Sequence, residues 1–556
     1  MNKLDYGVSM PFRRIINITD SLFVTVILST LFLGLFIFLK YPPIVWVDLI
    51  MDDAYYYLGI VRNIIEHGAS SFLPPFSTNG YQPLWLVVLT CFAAIFGTDE
   101  VSLVIQNYLV TCLFVLCFIA LSRRCYAMAF PAIICSLSYA HITINGMESV
   151  MIPVYFILFM TSKSWQFRGC FGSLLFLSRL DALSVVIARD LYFVLTKRKT
   201  DFKHYLIIIP VILVYGLINY LLFGIPVPVS GLAKSIGNNF GENINAGLGY
   251  LLTLKTSFRL IIVILFVYIV RKQKIGELRY LDEISILLIS CCFVAFYYST
   301  KSGWGFWSWY YWAPFLLIYY ALLETAFLLN KLIISKENNV KFVYLTLLTL
   351  GIVYTIKPSV DFISDRIIFF TNAPTISALD ATFGRKNIEL VELIKKYNIP
   401  ENSFFAMGDR AGSFGYFLGN HYRFLHTEGL VGPTAYYQAM KTDNALDFID
   451  TQNIDYWIAE RENFLEANET IGVIEPIQGL SAHKGPYLIC FQKQGIVFDQ
   501  SYIPSKYTAS QKYEYRYVFN MKNRVVCPDE FTIKLAELKR VYGGVRKFSL
   551  PIETQK

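Results

Sequence analysis

Charged side chains are scarce in this sequence: Asp, Glu, Lys and Arg make up 16% of 556 residues, against 55% hydrophobic and 16% aromatic. A mean hydropathy of +0.46 excludes an ordinary soluble domain. Several apolar runs of about 20 residues place the chain among α-helical polytopic membrane proteins. No CxxC and no Cys/His metal spacing occurs, so the usual sequence signature of a zinc or redox centre is missing. Internal repeats and low-complexity tracts are missing too, and with them a common signature of secondary transporters. The first apolar run, 21–39, is too long for a signal-peptide core and has no small-residue cleavage site, so it reads as a retained span. The net charge of +8 calls for no nucleic-acid partner, because the basic residues fall between apolar runs, where orientation explains them.

Eight of the ten cysteines lie between positions 91 and 292, in or beside apolar segments, where a small hydrophobe is the default reading. Cys490 and Cys527 are the two in the hydrophilic tail. They can pair if that tail occupies an oxidising compartment.

Lys3, Arg13 and Arg14 precede the first span, which puts the N-terminus in the cytoplasm and the following loop outside. The apolar run 83–96 is short for a full crossing. If it crosses, Arg123 and Arg124 end up outside. If it only dips in, 101–121 is the second span, the arginine pair is inside, and every later loop obeys the positive-inside rule. The second topology is adopted. Spans 125–144, 149–160, 205–223, 246–270, 284–298, 310–327 and 342–356 follow. A pair of short helices over 172–195 meets near an Arg-Leu-Asp turn. The total is about 11 membrane passages within a transmembrane unit, 1–356. Residues 357–556 form an outside soluble tail in which strands 404–407 and 455–458 alternate with helices 391–397, 412–418 and 445–449, an α/β module.

The first outside loop, 45–85, draws attention next. Asp52 and Asp53 open a helix-like segment in which Ala54, Leu58, Val61 and Ile65 recur at helical spacing. Gly68 is a plausible C-cap, and Pro74 and Pro75 keep the helix from resuming. The pattern predicts an amphipathic helix on a membrane surface. One carboxylate is explained by capping; the second needs another reason. Asp52, Asp53, Glu148, Arg179, Asp181, Lys234 and Lys301 all map to the outer ends of spans or to outer loops. Arg179 and Asp181 can simply pair with each other, and Lys234 can meet lipid phosphate. Seven charges gathered at one interface nonetheless favour an active site open to the outside. Carboxylate with Lys and Arg near a membrane suits transfer from a lipid-phosphate donor: cations hold the departing phosphate, and one general base takes the acceptor's proton. The aromatic run Trp304, Phe306, Trp307, Trp309, Tyr310, Tyr311 and Trp312 reads either as an interfacial belt or as a platform for a sugar or prenyl chain. Sequons at Asn17 and Asn468 are short matches, and the first lies on the cytoplasmic side.

MDDAYYYLGIVRNI with TNGYQPLW resembles the first outside loop of polytopic GT-C glycosyltransferases, especially bacterial members related to arabinofuranosyltransferases and to lipid A and protein mannosyltransferases. NGMES (145–149), SRLDAL, FGIPVPVSGLAKS, WSWYYWAP and GDRAGSFGYF resemble that group in the same order. The likeness spans roughly 47–430. Relatives often carry His where Gln82 stands and Pro where Leu180 stands. The resemblance implies a GT-C-type fold in a bacterial inner (plasma) membrane and an inverting transfer from a polyprenyl-phosphate sugar to a glycan, lipid or protein acceptor. An Asp of this loop is then the base; the spacing to Arg62 matches Asp53 better than Asp52. Lys234 becomes the phosphate ligand. Arg179, Asp181, Glu148, Lys301, Asn79, Tyr81 and Gln82 become substrate-binding candidates. No cofactor is implied, and a divalent metal stays open. The rival readings are a transporter or flippase of lipid-linked sugars and a catalytically silent assembly protein.

Overall fold

The computed structural model describes residues 28–29, 31–125, 146–198, 200–236, 280–301, 308–334, 383–408, 410–460, 464–475, 487–499 and 516–541. The expected spans 125–144, 246–270 and 342–356, the aromatics at 304–307 and the Asn17 sequon lie outside the described residues. The helices are α1 (Leu31–Lys40), α2 (Asp52–His67), α3 (Pro83–Phe96), α4 (Glu100–Cys125), α5 (Ile152–Thr161), α6 (Trp165–Ser178), α7 (Leu183–Leu195), α8 (Tyr205–Phe223), α9 (Leu281–Lys301) and α10 (Trp312–Ile334). Among the described residues, three helices are long and apolar enough to cross a membrane: Glu100–Ser122, Phe202–Phe223 and Leu281–Lys301. Helix α8 turns Leu206, Ile209, Leu213, Leu217 and Leu221 outward. Such a surface is stable in hydrocarbon and not in water. The chain is an integral membrane protein.

Two ends of the helical unit can be told apart. Helices α6 and α7 meet at the extended Arg179 and the 3-10 turn Leu180–Ala182, the expected pair of short helices. The other end of α7 lies beside Arg198, whose guanidinium pairs with Asp282 at the start of α9. With 21 residues in α9, Asp282 and Lys301 stand about 30 Å apart at 1.5 Å per residue.

Helix α3 is tied to α2 at both of its ends. At its start the Gln82 amide donates to the Tyr57 hydroxyl at 3.0 Å. Past its end Thr98 donates to Glu66 at 2.7 Å. Both partners are on α2, so α3 runs alongside α2. Helix α4 then begins against the tail, where Tyr416 donates to the Glu100 carbonyl at 2.6 Å.

The tail opens with α11 (Phe383–Lys396) and a five-stranded sheet of order β2-β1-β3-β8-β7, formed by β1 (Phe404–Met407), β2 (Arg423–His426), β3 (Tyr456–Glu460), β7 (Ile496–Asp499) and β8 (Arg516–Asn520). Strands β2, β1 and β3 are parallel, and their crossovers carry α12 (Gly412–Leu418), α13 (Thr434–Lys441) and α14 (Ala445–Thr451). A second, antiparallel sheet runs β4-β5-β6-β9, from β4 (Phe464–Ala467), β5 (Thr470–Glu475), β6 (Tyr487–Gln492) and β9 (Arg524–Val525). The helix α15 (Asp529–Val541) follows it. A disulfide joins Cys490 on β6 to Cys527 beyond β9.

The second sheet and α15 enclose a small core of their own, Leu465, Ile474, Leu488, Phe531 and Leu535, but the rest of the tail shares its core with the membrane unit. One buried cluster contains Trp46, Tyr55, Tyr57 and Trp85 together with Phe405, Phe414, Phe417 and Phe424. Tyr55 stacks obliquely on Tyr416 and Phe417 with ring centroids 5.3 and 5.6 Å apart, contacts worth about 0.5–1.5 kcal/mol each beyond area burial. This corrects the expected surface helix. From Ala54 to Val61 every residue of α2 is buried, because the run Tyr55, Tyr56, Tyr57 gives apolar rings to several faces and the tail covers what the membrane unit leaves open.

Candidate active site

Helix α2 presents Asp53, Tyr56, Tyr57 and Ile60 to a cavity of about 780 Å³. These positions are three and four apart and share one helix face. Gly68 ends the helix in the left-handed region, φ 65°, with its amide on the Asn63 and Ile64 carbonyls. Asp53, Glu148, Arg179, Asp181, Lys234 and Lys301 all line this one cavity, as do Tyr81 and Gln82. Six of the seven charges grouped by sequence therefore converge.

Asp52 goes elsewhere. It accepts from the Gly412 and Ser413 amides at 2.8 Å each and from the Ser413 hydroxyl at 2.5 Å. Met51, not Asp52, is the N-cap of α2. The carboxylate serves the N-terminus of α12 in the tail, where anionic groups are favoured. Gly412 permits the approach, since a Cβ there would collide with the Asp52 backbone. The proposed catalytic pair is thus one cavity residue and one anchor. Arg62 likewise turns to the tail, donating to the Tyr416 carbonyl at 3.2 Å with its guanidinium over that ring.

Asn79 is also moved out of the substrate-binding set. It is buried outside the cavity lining, donates to Asn219 at 2.9 Å and Val227 at 3.1 Å, and accepts from the Val229 amide at 2.9 Å. It staples the first loop to the segment that leads through the short helix Val229–Ala233 to Lys234.

Arg179 is held between two carboxylates. It donates to Glu148 at 2.5 Å and to both oxygens of Asp181 at 3.0 Å. The reading that Arg179 and Asp181 pair with each other holds, with Glu148 as a third member. Tyr57 donates to the second Glu148 oxygen at 3.1 Å, and Tyr298 to Asp181 at 3.2 Å. So satisfied, Arg179 is a fixed positive element and not a free clamp.

Lys234 donates to the Tyr310 hydroxyl at 2.7 Å. Burial works against its charge, but the Tyr310 oxygen and the Asp53 carboxylate outweigh burial and hold the ammonium above the usual lysine value. Lys234 is therefore a charged, half-buried group electrostatically coupled to Asp53. Tyr310 also receives the Arg179 guanidinium on its ring at 4.6 Å. Trp309 and Tyr310 of the aromatic run thus line the cavity, while Trp312 is buried in the helical core. Lys301 stands exposed at the rim.

The remaining walls are apolar: Phe176, Leu183, Ile187, Phe293 and Val294 from α6, α7 and α9. Ile187 is partly exposed on the outer surface of α7, so this limb runs toward the hydrocarbon side. Leu430 and Val431 close the cavity from the tail. The Leu430 carbonyl sits where a Cβ on Gly80 would be. Sequence reading missed these two residues; the seven-residue loop after β2, TEGLVGP, carries no periodic signal. It also missed Tyr56 and Tyr57, which the helical spacing from Asp53 locates. Among the described residues no group of three or more His, Cys, Asp and Glu is arranged to hold a metal ion.

No family model and no curated protein matches the chain. Among solved structures it is similar to ArnT from Cupriavidus metallidurans, in a crystal structure bound to undecaprenyl phosphate and in the apo state. The TM-score is 0.46 in both, identity is 11% and 10%, and the alignments cover 79% of this chain and 92% of that one.

Proposed function

We propose that this protein is an inverting glycosyltransferase of the GT-C type that moves a sugar from a polyprenyl-phosphate donor to a glycan, lipid or protein acceptor. The observation that carries the reading is a single cavity with two characters: a charged end where Asp53 and a half-buried Lys234 both line the wall, and an apolar limb along membrane helices. A lipid phosphate needs both. The prenyl chain lies along Leu183, Ile187 and Phe293, and the phosphate meets Lys234, with Lys301 at the rim. Asp53 takes the proton of the acceptor hydroxyl as that oxygen attacks the anomeric carbon, and the bond to the phosphate oxygen breaks on the opposite face. A phosphate is a competent leaving group, so one base suffices and no second acid is needed. Lys234 neutralises the charge that grows on the departing oxygen. The loop motifs shared with GT-C enzymes support the same assignment of Asp53 and Lys234.

The site and the tail face outside in this reading, with the N-terminus in the cytoplasm of a bacterial inner membrane. The Cys490–Cys527 disulfide supports an oxidising location for the tail. The test is mass spectrometry of lipid-linked sugars and surface glycans in cells lacking the protein. One polyprenyl-phosphate sugar should build up and one glycan should lose a residue. Rescue by the wild-type chain and not by Asp53→Asn completes it. Unchanged lipid-linked sugars in the deletion strain overturn the assignment.

A further inference from the structure

The catalytic helix is gripped by the tail on both sides of Asp53. One residue before it, Asp52 holds the Gly412 and Ser413 amides. Three residues after it, the Tyr56 hydroxyl bonds His426 Nε2 at 2.9 Å. His426 ends β2, is buried, and packs edge-on against the Tyr56 ring with centroids 5.2 Å apart. Asn387 of α11 braces the Asp52 side, donating to the Ser413 hydroxyl at 2.6 Å and to the Arg410 carbonyl at 2.9 Å. Within the membrane unit, the Tyr55 hydroxyl donates to the Val47 carbonyl at 2.8 Å and the Tyr56 ring packs edge-on against Phe72 with centroids 5.0 Å apart.

We propose that the tail is a positioning element of the transferase: His426, acting through Tyr56, and the α12 N-terminus, acting through Asp52, together hold the Asp53 carboxylate where the acceptor hydroxyl arrives. The proposal rests on Asp53 being the base. It assigns His426 a role at one remove, since His426 does not line the cavity. Burial pushes its imidazole down to about 3, so the ring stays neutral in the working range and gives Tyr56 an uncharged, fixed partner. A neutral ring whose other nitrogen has no hydrogen-bond partner among the described residues is held by packing alone, and its one polar contact points at α2. General-base catalysis requires hydrogen-bond reach, and a displacement of about 1 Å costs on the order of 10²-fold. Binding of the lipid phosphate uses Lys234 on another segment, so the tail contacts govern turnover and leave donor affinity alone.

The experiment uses the full chain in lipid nanodiscs and in the deletion strain. Binding is read with undecaprenyl phosphate as the probe, and transfer by the rate at which the accumulated lipid-linked sugar is consumed. His426→Phe keeps the ring volume and removes the bond; Tyr56→Phe removes a single oxygen, so it separates positioning from a folding defect. Each should lower transfer about 10- to 100-fold, and His426→Phe, at a residue outside the cavity lining, should leave undecaprenyl phosphate affinity unchanged. His426→Gln, which can still hydrogen-bond, should recover part of the rate. In an Asp53→Asn background neither change should cause a further loss, because effects that act through one group do not add. Equal losses with and without Asp53, or normal transfer by both single variants, overturn the proposal. Normal transfer by Asp53→Asn alone overturns the base assignment instead, whatever the His426 variants do.

Discussion

Two buried arginine clusters lie along α7, one just before its first turn and one at its middle, and the first lines the cavity described above. In the first, Arg179 is bound by Glu148 and Asp181, and the same space holds Asp53, Lys234 and Lys301. At mid-helix Arg189 pairs with Asp190 at 2.6 Å, and Asp190 with His204 at 3.0 Å. The guanidinium lies 4.5 Å from the Phe193 ring centroid, and His204 stacks on Tyr205 with centroids 4.5 Å apart. That cluster is packed shut. Both clusters bury charge at similar depth, so burial of charge alone does not mark a site. The first differs in two ways. It has room for a ligand, and it has lysines beyond those its carboxylates need to hold Arg179.

The sharpest way to break this comparison is Asp53→Asn. It preserves volume and removes the proton acceptor, so transfer should fall about 10²- to 10⁴-fold while membrane abundance stays normal. Normal turnover would move the base to Glu148. Next in size is Lys234→Ala, which should reduce both undecaprenyl phosphate binding and transfer, the latter by roughly 10²- to 10³-fold. A change in transfer with intact binding would show that Lys234 acts only as charge develops. The third concerns pH and the tail. A neutral His426 binds no proton in the folded chain until about pH 3, whereas the unfolded chain binds one below about 6.5. The unfolded state therefore gains protons first, and stability should fall as pH drops from 6.5 toward 3. Thermal unfolding of the detergent-solubilised protein against pH reads this, and His426→Phe should flatten the slope. The smallest effect on transfer belongs to Asp190→Asn at mid-helix. It should destabilise the protein by about 3–5 kcal/mol, the usual result of stripping one partner from a buried pair. Turnover per folded molecule should not change. If it does, the mid-helix cluster is coupled to the site and the two clusters are not separate.

The cavity cluster was legible in sequence because charge is rare in an apolar chain: Asp53, Glu148, Arg179, Asp181, Lys234 and Lys301 stand out one by one, and span orientation alone brings them to one face. The strand Phe404–Met407, the helix Gly412–Leu418 and the hinge at Arg179 were legible for the same local reasons. What was hidden is the contribution of the tail. Leu430 and Val431 are apolar residues in a loop with no pattern, and the Tyr56–His426 bond joins residues 370 positions apart. Asp52 was half legible: its capping habit was clear, but not that the helix it caps is α12. Hidden too was the shared packing of Phe414, Phe417 and Phe424 with Trp46 and Tyr55, which joins rings more than 350 positions apart.

The adjacency of Asp52 and Asp53 has a consequence for how this site tolerates change. Neighbours on an α-helix project about 100° apart, and here one carboxylate is locked to α12 while the next looks into the cavity. The pair therefore sets the rotational phase of α2. A single residue inserted or deleted between Met51 and Tyr56 would turn the downstream face by that angle, and either the grip on α12 or the aim of the cavity carboxylate would be lost. Two consecutive aspartates do what one, however well placed, cannot: they fix both where the acid is and which way it faces.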